Sequence, residues 1–161
     1  MRIRQASGGE MLKLWGYPTP GEAPPTARYF YHKLSAEDAV FWAIDRDCEL
    51  IGELYAFLNI EEDRDFADGR TRAYLCAFRV KKEYRGRGLG SDLMEAALAE
   101  LKAMGFESAS IGVDDERNER LYRCLGFDTK IKDCFFDPCA RDENMRPEPV
   151  EEGFRLLHKE L

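Results

Sequence analysis

A chain of 161 residues, 44% hydrophobic and 34% charged, has the composition of a folded globular protein and can bury about two-thirds of its unfolded surface. Its net charge of −7 argues against general nucleic-acid binding, which needs a basic face. No apolar run approaches the ~20 residues that span a bilayer, and Met1-Arg2-Ile3-Arg4-Gln5 lacks the apolar core of a signal peptide. The expectation is a cytoplasmic protein without membrane partners, folded as one domain over residues 1–161.

Taken in chain order, Ile3 to Ala6 reads as a short strand. Ser7 and Glu10 have capping-box spacing and precede Met11, Leu12, Leu14 and Trp15, which predicts a helix. Gly16 to Pro25 holds four prolines and must be a loop. A second helix is predicted from about Thr26 to Leu34. Val40–Ile44 and Leu50–Leu58 are rich in β-formers and flank the turn residues Asp45 to Glu49, a hairpin pattern. The charged stretch Glu61 to Arg70 is a predicted loop, followed by a strand from Thr71 to Val80.

Next comes a glycine-rich turn, then the amphipathic segment Asp92 to Met104. Leu89, Leu93, Ala97, Leu101 and Met104 make a core-facing stripe that Gly105 closes. Ser108 to Val113 reads as a strand and Arg117 to Cys124 as a short helix ended by Gly126. Thr129–Phe136 and Phe154–His158 are predicted strands, separated by a polar loop from Asp137 to Pro149. The order β-α-α-β-β-β-α-β-α-β-β predicts a single mixed sheet flanked by helices.

The five cysteines Cys48, Cys76, Cys124, Cys134 and Cys139 are an odd number without secretory context. They read as reduced, mostly buried, small apolar residues. Cys134 and Cys139 have no second Cys/His pair to complete a zinc set, and His32 and His158 lie far off in sequence. No metal is expected.

The most informative stretch is Arg85-Gly86-Arg87-Gly88-Leu89-Gly90-Ser91. Glycines set just before a helix let successive backbone N–H groups approach an anion, and the helix start adds unpaired donors and partial positive charge. It is not a dinucleotide fingerprint, since Ser91 stands where a glycine is needed, and no Gly-Lys-Ser/Thr follows to make a P-loop. Its spacing fits Arg/Gln-x-x-Gly-x-Gly/Ala and resembles the pyrophosphate-binding motif of the GNAT superfamily of acetyl-CoA-dependent N-acetyltransferases. Leu121-Tyr122-Arg123-Cys124-Leu125-Gly126-Phe127 resembles that family's L-Y-x-x-L-G-F signature. The match in element order covers most of the chain, with its specificity between Thr71 and Phe127.

That resemblance implies an α/β (α+β) fold with a mostly antiparallel central sheet flanked by helices, and acetyl-CoA as cosubstrate. The backbone of Phe78, Arg79 and Val80 would pair with the pantetheine amides, and the N–H groups of Gly86 to Ser91 would hold the pyrophosphate. Arg85 and Arg87 either pair with phosphate or lie on a solvated turn. Tyr122 would be the general acid, because a phenol of pKa ~10 stays protonated at neutral pH and can give its proton to a departing thiolate. The family's coenzyme-binding asparagine position is occupied by Asp115, so either Asn118 reaches the ligand or it only caps its helix.

An alkyl amine of pKa ~10.4 must lose a proton before it attacks. Glu53, Asp114 and an ordered water chain remain open as the base, and Ser110 stands where some relatives have glutamate. Cys76, without an evident His partner, reads as a buried structural thiol rather than a nucleophile.

The activity implied is direct transfer of acetyl to a primary amine in a ternary complex; the alternative is a non-catalytic acyl-CoA-binding regulatory module. The acceptor, a small-molecule or peptide amine, would be met by Trp15–Tyr31, Glu61–Arg70 and Asp133–Met145. Asp65, Asp68, Asp133 and Asp137 in those segments would suit a polyamine, an aminoglycoside-like amine or a protein N-terminus. Exposed strand edges near the C-terminus offer a route to a homodimer.

Overall fold

The computed structural model describes residues 1–161. Seven strands, β1 (Arg2–Ala6), β2 (Ala39–Arg46), β3 (Glu49–Phe57), β4 (Arg72–Val80), β5 (Ser108–Val113), β6 (Thr129–Arg141) and β7 (Pro147–Glu160), form one sheet. The helices are α1 (Gly8–Trp15), α2 (Pro25–Ser35), α3 (Leu89–Ala103) and α4 (Glu116–Cys124). Sheet order is β1-β2-β3-β4-β5-β7-β6. Every neighbouring pair is antiparallel except β4–β5, which is parallel and bridged by α3. This is the predicted mixed, mostly antiparallel architecture. No helix is long and apolar enough to cross a membrane.

Alternation along the strands explains why both faces are covered. Trp42, Ile44, Leu54, Ala56, Ala73 and Leu75 face one core with Leu93, Ala97 and Leu101 of α3. Phe41, Ala43, Tyr55, Phe57 and Tyr74 face the other, against Met11, Leu12 and Phe30 of α1 and α2. Successive side chains of a strand point to opposite faces, so a strand buried on both sides reads as a continuous apolar run.

Local chemistry sets the ends of α1. Ser7 Oγ accepts from Glu10 N and Glu10 Oε1 accepts from Ser7 N, both at 3.1 Å, the capping box read from sequence. Gly16 closes the helix in the left-handed conformation, φ 86°. Helix α3 begins at Leu89, three residues before the predicted start, with Gly88 as its N-cap.

The C-terminal region departs from expectation. The predicted loop from Asp137 to Pro149 is mostly strand, and only Asp142 to Arg146 connects β6 to β7. The prolines that signalled a loop sit where a sheet tolerates them. Pro147 opens β7, Pro149 and Pro138 fall beside register slips, and β7 pairs with β5 only from Arg155 onward. The turn is held by Asp142 Oδ1, which accepts from Asn144 N at 2.8 Å and Arg146 N at 2.9 Å. Cysteine burial also differs from the reading: Cys134 and Cys139 are buried, Cys76 is half-buried, and Cys48 and Cys124 are exposed.

Candidate active site

The glycine turn projects a set of free donors. Asp92 N bonds Gly88 O at 3.0 Å as the first intrahelical link of α3, while the N–H groups of Leu89, Gly90 and Ser91 meet no acceptor and no side chain caps the helix. Gly86 and Gly88 have φ of 78° and 79°, and a Cβ on either would meet nothing within 4 Å. The open side of the turn therefore presents unpaired donors at a helix start, an arrangement suited to an anion. Arg85 Nε donates to Val80 O at 2.8 Å, folding its side chain back along β4.

A cavity of about 440 Å³ adjoins the cradle, lined by Phe78, Arg79, Val80, Arg85, Gly86, Gly88, Leu89, Gly90, Ser91, Asn118 and Tyr122 among others. Of the residues expected to contact the coenzyme, only Arg87 lies outside this wall. Its guanidinium stands 5.8 Å from the Tyr84 ring centroid, and Arg46 covers the same ring at 5.3 Å.

The cavity exists because β4 and β5 part. Their parallel pairing runs from Arg72↔Ser108 to Leu75↔Ile111 and stops, so Cys76 to Val80 have no partner on the β5 side. On the other side the register steps from Tyr55↔Cys76 to Glu53↔Arg79, placing Ala77 and Phe78 opposite Leu54 alone. Ala77 takes φ 52° at this bulge, an uncommon conformation for a residue with a Cβ. The result is an extended strand edge, unpaired on the β5 side beyond Leu75, in which Phe78, Arg79 and Val80 line the cavity.

Tyr122 joins this cavity to a second one. The second, about 460 Å³, is lined by Trp15, Thr26, Phe30, Cys76 to Arg79, Tyr122, Asp137 and Cys139 among others. The Tyr122 ring lies 6.4 Å from both Phe78 and Phe127, centroid to centroid. Burial pushes its phenol above the usual value, and the charges of Asp115 and Asp114 act in the same direction. It therefore carries its proton at neutral pH. Its hydroxyl has no partner in the protein.

Asp115, not Asn118, caps α4. Its Oδ1 accepts from Asn118 N at 2.7 Å and its Oδ2 from Asn118 Nδ2 at 3.1 Å. Asn118 lines the cavity beside the glycine turn from the first turn of α4, with its side-chain oxygen free of protein partners.

Neither acid considered as base lines the cleft beside Tyr122. Glu53 is 9% exposed, accepts from Trp15 Nε1 at 2.8 Å and Tyr55 Oη at 2.9 Å, and pairs with Arg79 at 3.6 Å. Asp114 opens onto a neighbouring cavity. Ser110 is buried and donates to Phe66 O at 2.6 Å.

A sequence model of the acetyltransferase (GNAT) family matches residues 11–127. The chain belongs to the GNAT family. It is 32% identical over 103 residues to N-alpha-acetyltransferase 30 of Schizosaccharomyces pombe, a match spanning 62% of this chain and 63% of that protein. Among solved structures, ribosomal-protein-alanine N-acetyltransferase from Brucella melitensis shares the fold with a TM-score of 0.66, 14% identity and full coverage of both chains (100% each). Arabidopsis thaliana NAA60 in complex with acetyl-CoA gives 0.65 and 16%, covering 99% of this chain and 98% of that one.

Within this GNAT fold, two of the three segments expected around the acceptor reach the cleft. Trp15, Thr26 and Phe30 come from the first, and Asp137, Cys139 and Ala140 from the third. Glu61–Arg70 does not reach it: Phe66 packs beneath Tyr74 with ring centroids 5.0 Å apart. The acids divide likewise. Asp65 pairs with Lys132 and Asp133 with Lys130, each at 3.0 Å, and Asp68 holds its own turn. Of the four, Asp137 alone faces the cleft. Sequence reasoning missed Tyr74 and the Ala77 bulge. Alternation could have placed Tyr74 on the α2 face, but no residue type announces a bulge at alanine.

Proposed function

We propose that this protein is an N-acetyltransferase that moves an acetyl group from acetyl-CoA to a primary amine by direct attack within a ternary complex. The observation that carries this reading is the meeting of three elements around Tyr122: the free N–H groups of Leu89 to Ser91, the unpaired edge of β4, and a partnerless phenol held protonated by burial.

Acetyl-CoA, when bound, supplies the activated thioester carbonyl. The N–H groups at the start of α3 would hold the pyrophosphate, with Arg85 at its rim and Asn118 on the α4 side. The edge from Phe78 to Val80 would pair with the pantetheine amides and lead the thioester to Tyr122. The amine lone pair forms the new C–N bond and the C–S bond breaks. The nitrogen gives its proton to solvent in the cleft, and Tyr122 supplies one to the sulfur and regains it from solvent. Placing amine and thioester side by side accounts for most of the rate gain expected of such a site.

The test is acetyl-CoA-dependent thiol release across a panel of amines, with calorimetric coenzyme binding measured in parallel. Amine-dependent release supports transfer. Coenzyme binding with no release for any amine would favour a regulatory acyl-CoA-binding module. Absence of coenzyme binding would remove the reading of the glycine turn and the function with it.

A further inference from the structure

Next to the cleft beside Tyr122 lies a separate cavity of about 350 Å³, bounded by Tyr74, Gly112, Asp114, Asp137, Glu152 and Phe154 among others. Tyr74, Gly112 and Asp137 line both spaces, so the two adjoin along β4 and β5. No lysine or arginine lines this cavity. Asp114 and Glu152 make no hydrogen bond or ion pair. Asp137 uses Oδ1 for the N–H groups of Cys139 at 2.9 Å and Ala140 at 3.3 Å, and its Oδ2 meets no protein partner.

Tyr74 is the independent sign of a ligand. The residue is only 6% exposed, yet its hydroxyl bonds nothing in the protein. That oxygen stands 3.1 Å from where a Cβ on Gly112 would lie, at the seam between the two cavities. The hydroxyl is open to the cavity and not sealed in the core, so a ligand donor can reach it. Asp114 and Glu152 are exposed and Asp137 half-buried, and three carboxylates with no lysine or arginine in the same wall give the cavity a negative potential. A ligand cation would meet that potential and offer the Tyr74 hydroxyl a donor.

Resting on the transfer reading above, we propose that this cavity anchors a second cationic centre of the acceptor, so that the acceptor is a diamine or polyamine. One ammonium is held among Asp114, Asp137 and Glu152 and donates to the Tyr74 hydroxyl. The chain passes the seam at Gly112, and its other end, as the free amine, enters the cleft beside Tyr122. The same wall repels acceptors that bear a carboxylate, so it selects against amino acids as well as for diamines.

Thiol release from acetyl-CoA with 1,4-diaminobutane, spermidine, n-butylamine and 4-aminobutanoate tests this. In the wild type, kcat/KM for the diamine should exceed that for n-butylamine about 10-fold or more, equivalent to roughly 1.4 kcal/mol, with 4-aminobutanoate slowest. In Glu152→Gln and in Asp114→Asn/Glu152→Gln the ratio should fall toward one, through KM. Tyr74→Phe should weaken calorimetric binding of 1,4-diaminobutane to the coenzyme A-saturated protein, with coenzyme affinity kept as the check on folding.

Equal use of diamine and monoamine would overturn the inference and leave the transfer reading standing. So would preference for a peptide N-terminus, or a ratio that survives in the folded double variant. Coenzyme binding without acetylation of any amine would overturn both.

Discussion

The indole N–H of Trp15 donates to Glu53 Oε1 at 2.8 Å, and the same oxygen accepts from the Tyr55 hydroxyl at 2.9 Å. Trp15 thereby stands as a wall of the cleft, with the Arg79 guanidinium 5.5 Å from its ring centroid. A carboxylate committed to two donors and an arginine is built to position its neighbours.

Glu53→Gln should therefore keep its folding and the shape of its pH–rate profile, with kcat lowered no more than about threefold. Glu53→Leu should cost far more in thermal stability, because it strands the buried Tyr55 hydroxyl, at about 1–3 kcal/mol, and the part-buried Trp15 indole N–H. Loss of one limb of the pH–rate profile in Glu53→Gln would instead make Glu53 the base.

Tyr122→Phe removes the only phenol shared by the cavity beside the glycine turn and the cleft. Proton transfer by a positioned side chain contributes about 10²–10⁴-fold, so kcat should fall within that range. The ring and its packing on Phe78 and Phe127 stay, so acetyl-CoA affinity should hold. Single-turnover rates beside calorimetric affinities check this; an unchanged rate would remove Tyr122 from the proton path.

Much of this site was legible because local rules govern it. Glycines before an amphipathic stripe announce a helix start with free donors, and Ser7 and Glu10 announce a cap whatever the surrounding fold. The β6–β7 hairpin was not, because Pro138, Pro147 and Pro149 signal a loop locally, while register slips and an unpaired flank make them acceptable in a sheet. The cleft's acidic lining was hidden for a related reason. Asp65, Asp68, Asp133 and Asp137 look alike in sequence, yet Asp65 is engaged by Lys132 of β6, Asp133 by Lys130 three residues away and Asp68 by its own turn. Only the folded chain shows that Asp137 is the one facing the cleft.

The cradle can be separated from ordinary glycine strain by a matched pair of variants. Gly88 and Gly105 both have positive φ, 79° and 100°, and a Cβ on either would meet nothing within 4 Å. Alanine at each should cost about 1–2 kcal/mol of stability. Of the two, only Gly88 lines the cavity proposed to take the coenzyme. Gly88→Ala should raise the acetyl-CoA Kd about 10-fold, roughly 1.4 kcal/mol, while Gly105→Ala leaves it unchanged. Equal affinity in both variants would mean the pyrophosphate lies elsewhere.

Asp68 ties acid sensitivity to the floor under Tyr74. Its Oδ1 accepts from the N–H groups of Arg70 at 3.0 Å, Thr71 at 2.7 Å and Arg72 at 2.9 Å, closing the loop that carries Phe66 beneath Tyr74. Partial burial pushes the carboxyl up, but these bonds and the Thr71 hydroxyl outweigh it and hold the group well below its usual range. A depressed folded-state pKa stabilises the protein above the unfolded value of ~3.9, and that contribution disappears as pH falls through and below it. Asp68→Asn should thus lower the urea midpoint clearly at pH 7, and its deficit relative to wild type should shrink steadily below about pH 4. Urea titrations of both proteins across that window decide the matter. A deficit independent of pH would show that the asparagine fails through geometry, with the charge of Asp68 contributing nothing.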